Sequence, residues 1–126
     1  MRPTSDRARE AIFASLGAAV IDARVLDLFA GSGALGLEAL SRGASSCHFV
    51  ERNAEALEAL RTNLETLGES EHARVERGNA MTVLQRLADV GEQFELVLVD
   101  PPYDAVPDLA GMLTTLLPRV LSPTGS

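Results

Sequence analysis

A chain of 126 residues has room for one domain of ordinary size and none for a second. Its 46% apolar and 23% charged residues are globular proportions, and its single cysteine, Cys47, excludes both an internal disulfide framework and a cysteine-rich zinc site. The net charge of -7 excludes a broad basic surface, and no apolar run approaches the roughly 18 residues of a membrane-crossing helix, so one soluble, cytoplasmic domain over residues 1–126 is expected.

Arg2-Pro3-Thr4-Ser5-Asp6 reads as a helix start, with Thr4 or Ser5 able to cap the first-turn amides. Ala8, Ile12 and Leu16, with Phe13 beside them, keep helical spacing as far as Gly17. Arg24 to Phe29 is a short strand, apolar apart from its acid, and it stops at Ala30-Gly31-Ser32-Gly33. A helix follows from Ala34 to Arg42, and Gly43 is placed to close it in the left-handed conformation.

The alternation then repeats. Ser46 to Glu51 is the second strand, and Asn53 can cap a helix whose Leu57, Leu60, Leu64 and Leu67 form one stripe closed by Gly68. Arg74 to Gly78 is a weaker, more polar strand, followed by a helix carrying Val83, Leu84 and Leu87. Phe94 to Val99 is the clearest buried strand and ends at Asp100-Pro101-Pro102-Tyr103. A last helix carries Leu109, Met112, Leu113, Leu116 and Leu117 and gives way between Pro118 and Pro123.

Alternating strands and helices imply parallel strands joined by right-handed crossovers, so the expected class is α/β with helices on both faces. Ligands of such sheets bind beyond the carboxyl ends of the strands. Asp27, Glu51, Asn79 and Asp100 each close one strand there.

Gly31-x-Gly33-x-x-Gly36 follows a strand and opens a helix, as a nucleotide-binding glycine loop requires. Glu51 stands twenty residues beyond Gly31, where an acid can pair with ribose hydroxyls. A side chain at Gly33 is expected to enter the space where ligand meets backbone. Two adenosine ligands fit this pattern. A nicotinamide dinucleotide sets an anionic pyrophosphate on the helix N-terminus, which the nearby Asp27 opposes by charge. S-adenosylmethionine carries an ammonium and a sulfonium, which Asp27 suits. A capping or loop-bracing role for Asp27 is the alternative.

Asp100-Pro101-Pro102-Tyr103 suits chemistry on a planar amine. The lone pair of an amine conjugated to a heteroaromatic ring is delocalised, so the amine is a poor nucleophile. Two acceptors that hold its hydrogens favour the pyramidal form and turn the lone pair toward an electrophile. Asp100 offers a carboxylate oxygen and Pro101 a carbonyl that no ladder amide from Pro101 or Pro102 accompanies, while Tyr103 offers a stacking face for a base. A plain strand-ending turn is the alternative, since Asp-Pro-Pro is good turn chemistry. His48, His72 and Cys47 have no nearby ligand set, and all three read as structural.

Three stretches together closely resemble the bacterial small-subunit (16S) ribosomal RNA guanine-N(2) methyltransferases. They are Arg2-Pro3-Thr4-Ser5-Asp6-Arg7-x-Arg9-Glu10-Ala11-x-Phe13, the run from Asp27-Leu28-Phe29-Ala30-Gly31-Ser32-Gly33 to Arg42-Gly43-Ala44, and Asp100-Pro101-Pro102-Tyr103. The first two are specific to that family, and the third is shared by amino-methyltransferases generally. The resemblance implies a Rossmann-like fold and methyl transfer from S-adenosylmethionine, without a metal, to a guanine amine of 16S ribosomal RNA or a small-subunit assembly intermediate. It also implies donor contacts from Thr4, Asp27, Phe29, Ala30, Gly31, Ser32, Gly33, Gly36, Glu51, Arg52, Asn79 and Ala80. Asp100, Pro101, Pro102 and Tyr103 would orient the amine. Other readings are an amino-methyltransferase for adenine in DNA and a donor-binding fragment without catalysis.

Family members begin with a β-hairpin before the Arg2-Pro3 segment and continue past Pro118 with a fifth strand and an antiparallel pair. Against that pattern a domain shortened at both ends is expected, lacking the last strands and with its fourth strand at a sheet edge. Asn79 stands where related enzymes often carry an acid.

Overall fold

Four short parallel strands form one sheet in the order β3-β2-β1-β4, and the chain crosses from each strand to the next through a helix. The computed structural model describes residues 6–101 and 117–122. The strands are β1 (Arg24–Asp27), β2 (Ser46–Glu51), β3 (Ala73–Arg77) and β4 (Leu96–Leu98). The helices are α1 (Asp6–Leu16), α2 (Ala34–Ser41), α3 (Ala54–Thr66) and α4 (Ala80–Asp89). A helical turn, Leu117–Val120, follows β4. Thr4, Ser5 and most of the expected last helix lie outside the described residues.

The two faces of the sheet carry separate cores. Val25, Cys47, Phe49, Leu96 and Leu98 meet Phe13 of α1, Leu35, Leu37 and Leu40 of α2, and Leu57, Leu60 and Leu64 of α3. Leu26, Leu28 and Val50 meet Val83, Leu84 and Leu87 of α4, together with Phe94 and Val120. Burying both faces is what allows strands as apolar as Val25-Leu26 and Phe49-Val50. The class expected from the alternation of elements is therefore the observed one.

Most local signals formed as read, although Leu67 of the expected α3 stripe lies past the helix end and is exposed. Asn53 caps α3 by accepting the Ala56 amide at 2.8 Å, and Gly43 and Gly68 turn the chain at φ 105° and 70°. The first and fourth strands are shorter than expected, because paired register ends at Asp27 and Leu98. The fourth strand is also covered at its start: Phe94 bridges in parallel to Leu121, with Phe94 N–H donating to Val120 O at 2.7 Å and Ser122 N–H to Phe94 O at 2.8 Å. A strand-like contact beside the fourth strand thus forms at residue 121, in the part of the sheet that was expected to be lacking.

β1 lies between β2 and β4, with the crossovers on either side running in opposite directions. The carboxyl ends of β1 and β4 flank that reversal, which is where a ligand crevice opens in sheets of this kind. No helix among the described residues is long and apolar enough to cross a membrane.

Candidate functional site

The loop after β1 is drawn tight by the neighbouring strands. The amides of Phe29 and Ala30 both donate to the Val50 carbonyl, at 3.3 and 2.9 Å, and the Leu28 amide donates to Leu98 O at 3.0 Å. Phe29 holds φ at 98°, a left-handed conformation that costs an aromatic residue on the order of 1–3 kcal/mol. No pattern in the sequence signals that strain. Gly31 and Gly33 follow at φ 58° and 96°, which glycine adopts without penalty.

The third glycine serves packing. A Cβ on Gly36 would collide with the Phe49 ring and would stand 2.8 Å from Cys47 Sγ and 2.9 Å from Asp27 Oδ2. Only a residue without a side chain lets α2 approach β1 and β2 this closely. Gly33 departs from expectation: a Cβ there would meet Leu60 and Leu37 of the core, so that glycine yields to helix packing rather than to ligand space.

Two acids brace this loop. Glu51 accepts the Gly31 amide through Oε1 at 2.8 Å and the Asn53 amide through Oε2 at 2.9 Å, and so ties the end of β2 to the glycine loop. Asp27 accepts the Gly36 amide through Oδ2 at 3.0 Å. Its Oδ1 is buried and makes no hydrogen bond among the described residues. Burial pushes the Asp27 carboxyl up to about 7, against the pull of the Gly36 amide, and the charges of Asp100 and Glu51 raise it further. Asp27 thus feels the charge of both Glu51 and Asp100 where β1, β2 and β4 end.

The remaining residues expected at the site divide clearly. Ala30 and Ala80 are buried, Phe29 is half-buried, and Ser32 and Arg52 are exposed. The Ser32 carbonyl accepts from Asn63 Nδ2 at 3.1 Å, which joins the loop to α3. Asn79 has a structural duty as well: its side chain caps α4 by accepting the Met81 and Thr82 amides at 2.9 and 3.2 Å. Asp100 and Pro101 are half-buried beyond β4. Thr4, Pro102 and Tyr103 lie outside the described residues.

His48 and His72 stand apart from this cluster, whereas Cys47 is buried beside Gly36 and Asp27. His48 is buried on β2, with Nε2 2.9 Å from Glu76 Oε1 and its ring edge-on to Phe94. Burial lowers its pKa despite the Glu76 contact. Burial raises the Cys47 thiol well above its ordinary value, with the nearby Asp27 charge adding to the effect. Among the described residues no group of three His, Cys, Asp or Glu side chains is arranged to hold a metal ion.

A family model described as Conserved hypothetical protein 95 matches residues 1–126. The chain belongs to this family. Ribosomal RNA small subunit methyltransferase D of Escherichia coli strain K12 is 47% identical to it over 103 residues, which are 82% of this chain and 50% of that protein. The chain spans about half the length of the curated relatives it matches. Among solved structures, a hypothetical protein of Thermus thermophilus superimposes with a TM-score of 0.82 at 35% identity, over 96% of this chain and 69% of that one. An S-adenosylmethionine-dependent methyltransferase of Agrobacterium tumefaciens, 23% identical, shares the fold with a TM-score of 0.79 over 93% of this chain and 40% of that one. The family's domain here has the Rossmann-like methyltransferase fold.

Proposed function

We propose that this chain binds S-adenosylmethionine over the ends of β1 and β2 and directs its methyl group to the exocyclic amine of a guanine in 16S ribosomal RNA. The observation that carries the reading is Asp27, a buried carboxyl with one oxygen lacking a hydrogen bond among the described residues and under the charge of both Glu51 and Asp100. A buried acceptor left unpaired costs on the order of 1–3 kcal/mol unless a ligand donor completes it. A cationic ligand relieves that cost and the mutual repulsion of the three acids. An anionic pyrophosphate would aggravate both, which disfavours a dinucleotide.

The donor, when bound, supplies a methyl group on a positively charged sulfur. Asp27 would hold its ammonium end, and Glu51 would accept from its ribose hydroxyls through lone pairs that the Gly31 and Asn53 amides leave open. The loop from Phe29 to Gly33, with Gly36 beneath it, would present backbone amides and carbonyls. Asn79 and Ala80 would border the adenine, Arg52 would stand at the rim of the donor site, and Thr4 would lie near the methionine end.

Asp100 would accept one hydrogen of the guanine amine and the Pro101 carbonyl the other, which turns the nitrogen lone pair out of the ring plane. Methyl transfer would form the N–C bond as the S–C bond breaks, with S-adenosylhomocysteine leaving, and the Asp100 carboxylate would take the proton that the methylated nitrogen has to lose. Pro102 would stiffen the turn and Tyr103 stack on the base. The gain comes mainly from holding the amine at attack distance in line with the methyl group.

Calorimetry with S-adenosylmethionine and with a nicotinamide dinucleotide, followed by methyl transfer to unmodified small-subunit RNA, tests the reading. Binding of the first ligand alone, with label on a guanine amine, is expected. Preference for the dinucleotide would overturn it, and donor binding without transfer would leave only the donor site standing. The relatives named as ribosomal RNA methyltransferases support the choice of RNA over DNA.

A further inference from the structure

Arginine supplies every cationic side chain of this acidic protein apart from its two histidines, because the sequence contains no lysine. Six of the ten described arginines make ion pairs, some of them sharing one acid. Arg9 and Arg42 pair with Glu38, Arg24 and Arg74 with Glu92, Arg86 with Glu76, and Arg119 with Asp89. Arg7, Arg52, Arg61 and Arg77 make no ion pair among the described residues, and all four are exposed.

Three of these four share one flank. Arg77 closes β3, the edge strand, in register with Glu51, and Arg52 is the next residue after Glu51. Strand alternation puts Arg77 on the same face as Ala73 and Val75, which pack against the α3 side of the core. Arg61 of α3 lines a shallow groove with those same two residues. The unpaired arginines therefore lie along one flank, from the residue after Glu51, through the end of β3, to the groove between α3 and β3.

We propose that Arg61 and Arg77, with Arg52 at their upper end, hold the phosphate backbone of the RNA substrate, an inference that rests on the RNA-methyltransferase reading of the strand-end site. A protein of net charge -7 repels a polyanion at long range, so its RNA face must be where positive charge is left unneutralised. An exposed guanidinium engages a phosphate through two parallel hydrogen bonds and releases condensed counterions as it does so. Glu65 lies in the same groove without pairing to Arg61, so the favourable path leads from Arg61 upward to Arg77 and the rim. That path ends beside Glu51, where the target nucleotide has to approach the donor. An acidic protein surface would need no such continuity with the site.

The test measures binding to unmodified 16S RNA across a salt series, with donor affinity taken by calorimetry on the same samples. Arg61→Gln with Arg77→Gln should weaken RNA binding by roughly 10-fold near physiological salt and lower the slope of log affinity against log salt by about 1–2. Donor affinity and melting temperature should stay at parent values. Arg61→Lys with Arg77→Lys should keep the slope, because the charge is retained. Arg42→Gln with Arg119→Gln removes the same net charge from paired sites and should leave RNA binding as in the parent. Equal loss in that control, or parental slope in the Arg61/Arg77 variant, overturns the proposal. So does a loss seen only with protein-bearing subunits and not with naked RNA, which would assign the strip to an acidic protein. A parent chain that binds the donor and no RNA overturns the function reading and the strip with it.

Discussion

Asp27 and Gly36, nine residues apart, are joined by a 3.0 Å hydrogen bond from the Gly36 amide to Oδ2, and that bond fixes where α2 enters over the sheet. One acid therefore serves the fold with one oxygen and leaves the other, also buried, without a hydrogen bond among the described residues.

Gly36→Ala should destabilise the protein by about 1–3 kcal/mol or more, because the new methyl group overlaps the Phe49 ring and crowds Cys47 and Asp27. Urea denaturation checks this through a lower midpoint at unchanged slope. Donor affinity should fall in the same variant, since the displaced helix carries the Asp27 contact with it.

Asp27 makes stability depend on pH in a defined window. Its carboxyl titrates near 7 in the folded protein and near 3.8 in the unfolded chain. Between those values the folded state holds a proton that the unfolded state has lost, so stability should fall as pH rises from about 4 to 7. Asp27→Asn keeps an oxygen for the Gly36 amide and should flatten that part of the profile, read from melting temperatures across the range.

The same carboxyl should couple donor binding to protons. A bound ammonium favours ionised Asp27, so S-adenosylmethionine should bind more weakly as pH falls below 7 and should release up to about one proton near pH 6. Calorimetry in buffers of different ionisation enthalpy measures that release, and it should vanish in Asp27→Asn.

Glu51→Ala should weaken donor binding by ~1–3 kcal/mol through loss of charge-assisted hydrogen bonds. It should also lower the melting temperature, because the Gly31 and Asn53 amides both lose their acceptor. Parental affinity in calorimetry would remove Glu51 from the donor site.

Asp100→Ala should lower kcat by roughly two to four orders of magnitude while leaving donor affinity nearly unchanged, since its hydrogen bond matters most in the transition state. Asp100→Asn should be milder, because the amide oxygen still accepts one hydrogen. Either change should also let Asp27 titrate lower, as one of the charges raising it is gone. A fully active Asp100→Ala in the methyl-transfer assay would refute the amine-orienting role.

The residues that could be placed from sequence are those whose duty is local. Asn53 caps α3 three residues away, Gly43 and Gly68 end helices in the conformation that glycine tolerates, and the leucines of α3 repeat with the helical period. The gathering of Asp27, Glu51 and Asp100 at the strand ends was legible too, because a parallel sheet puts its carboxyl ends on one side whatever the strand order. Tertiary structure decided which of those ends are neighbours. It put β1 between β2 and β4, set Arg77 beside Glu51, gave Gly33 to the core, and held Phe29 in a strained left-handed turn. It also left one oxygen of Asp27 unpaired among the described residues. Periodicity and turn chemistry report interactions a few residues long. Strand order, and the satisfaction of a buried polar atom, depend on groups brought together from 9 to 71 residues apart, and only the closed core fixes which groups those are.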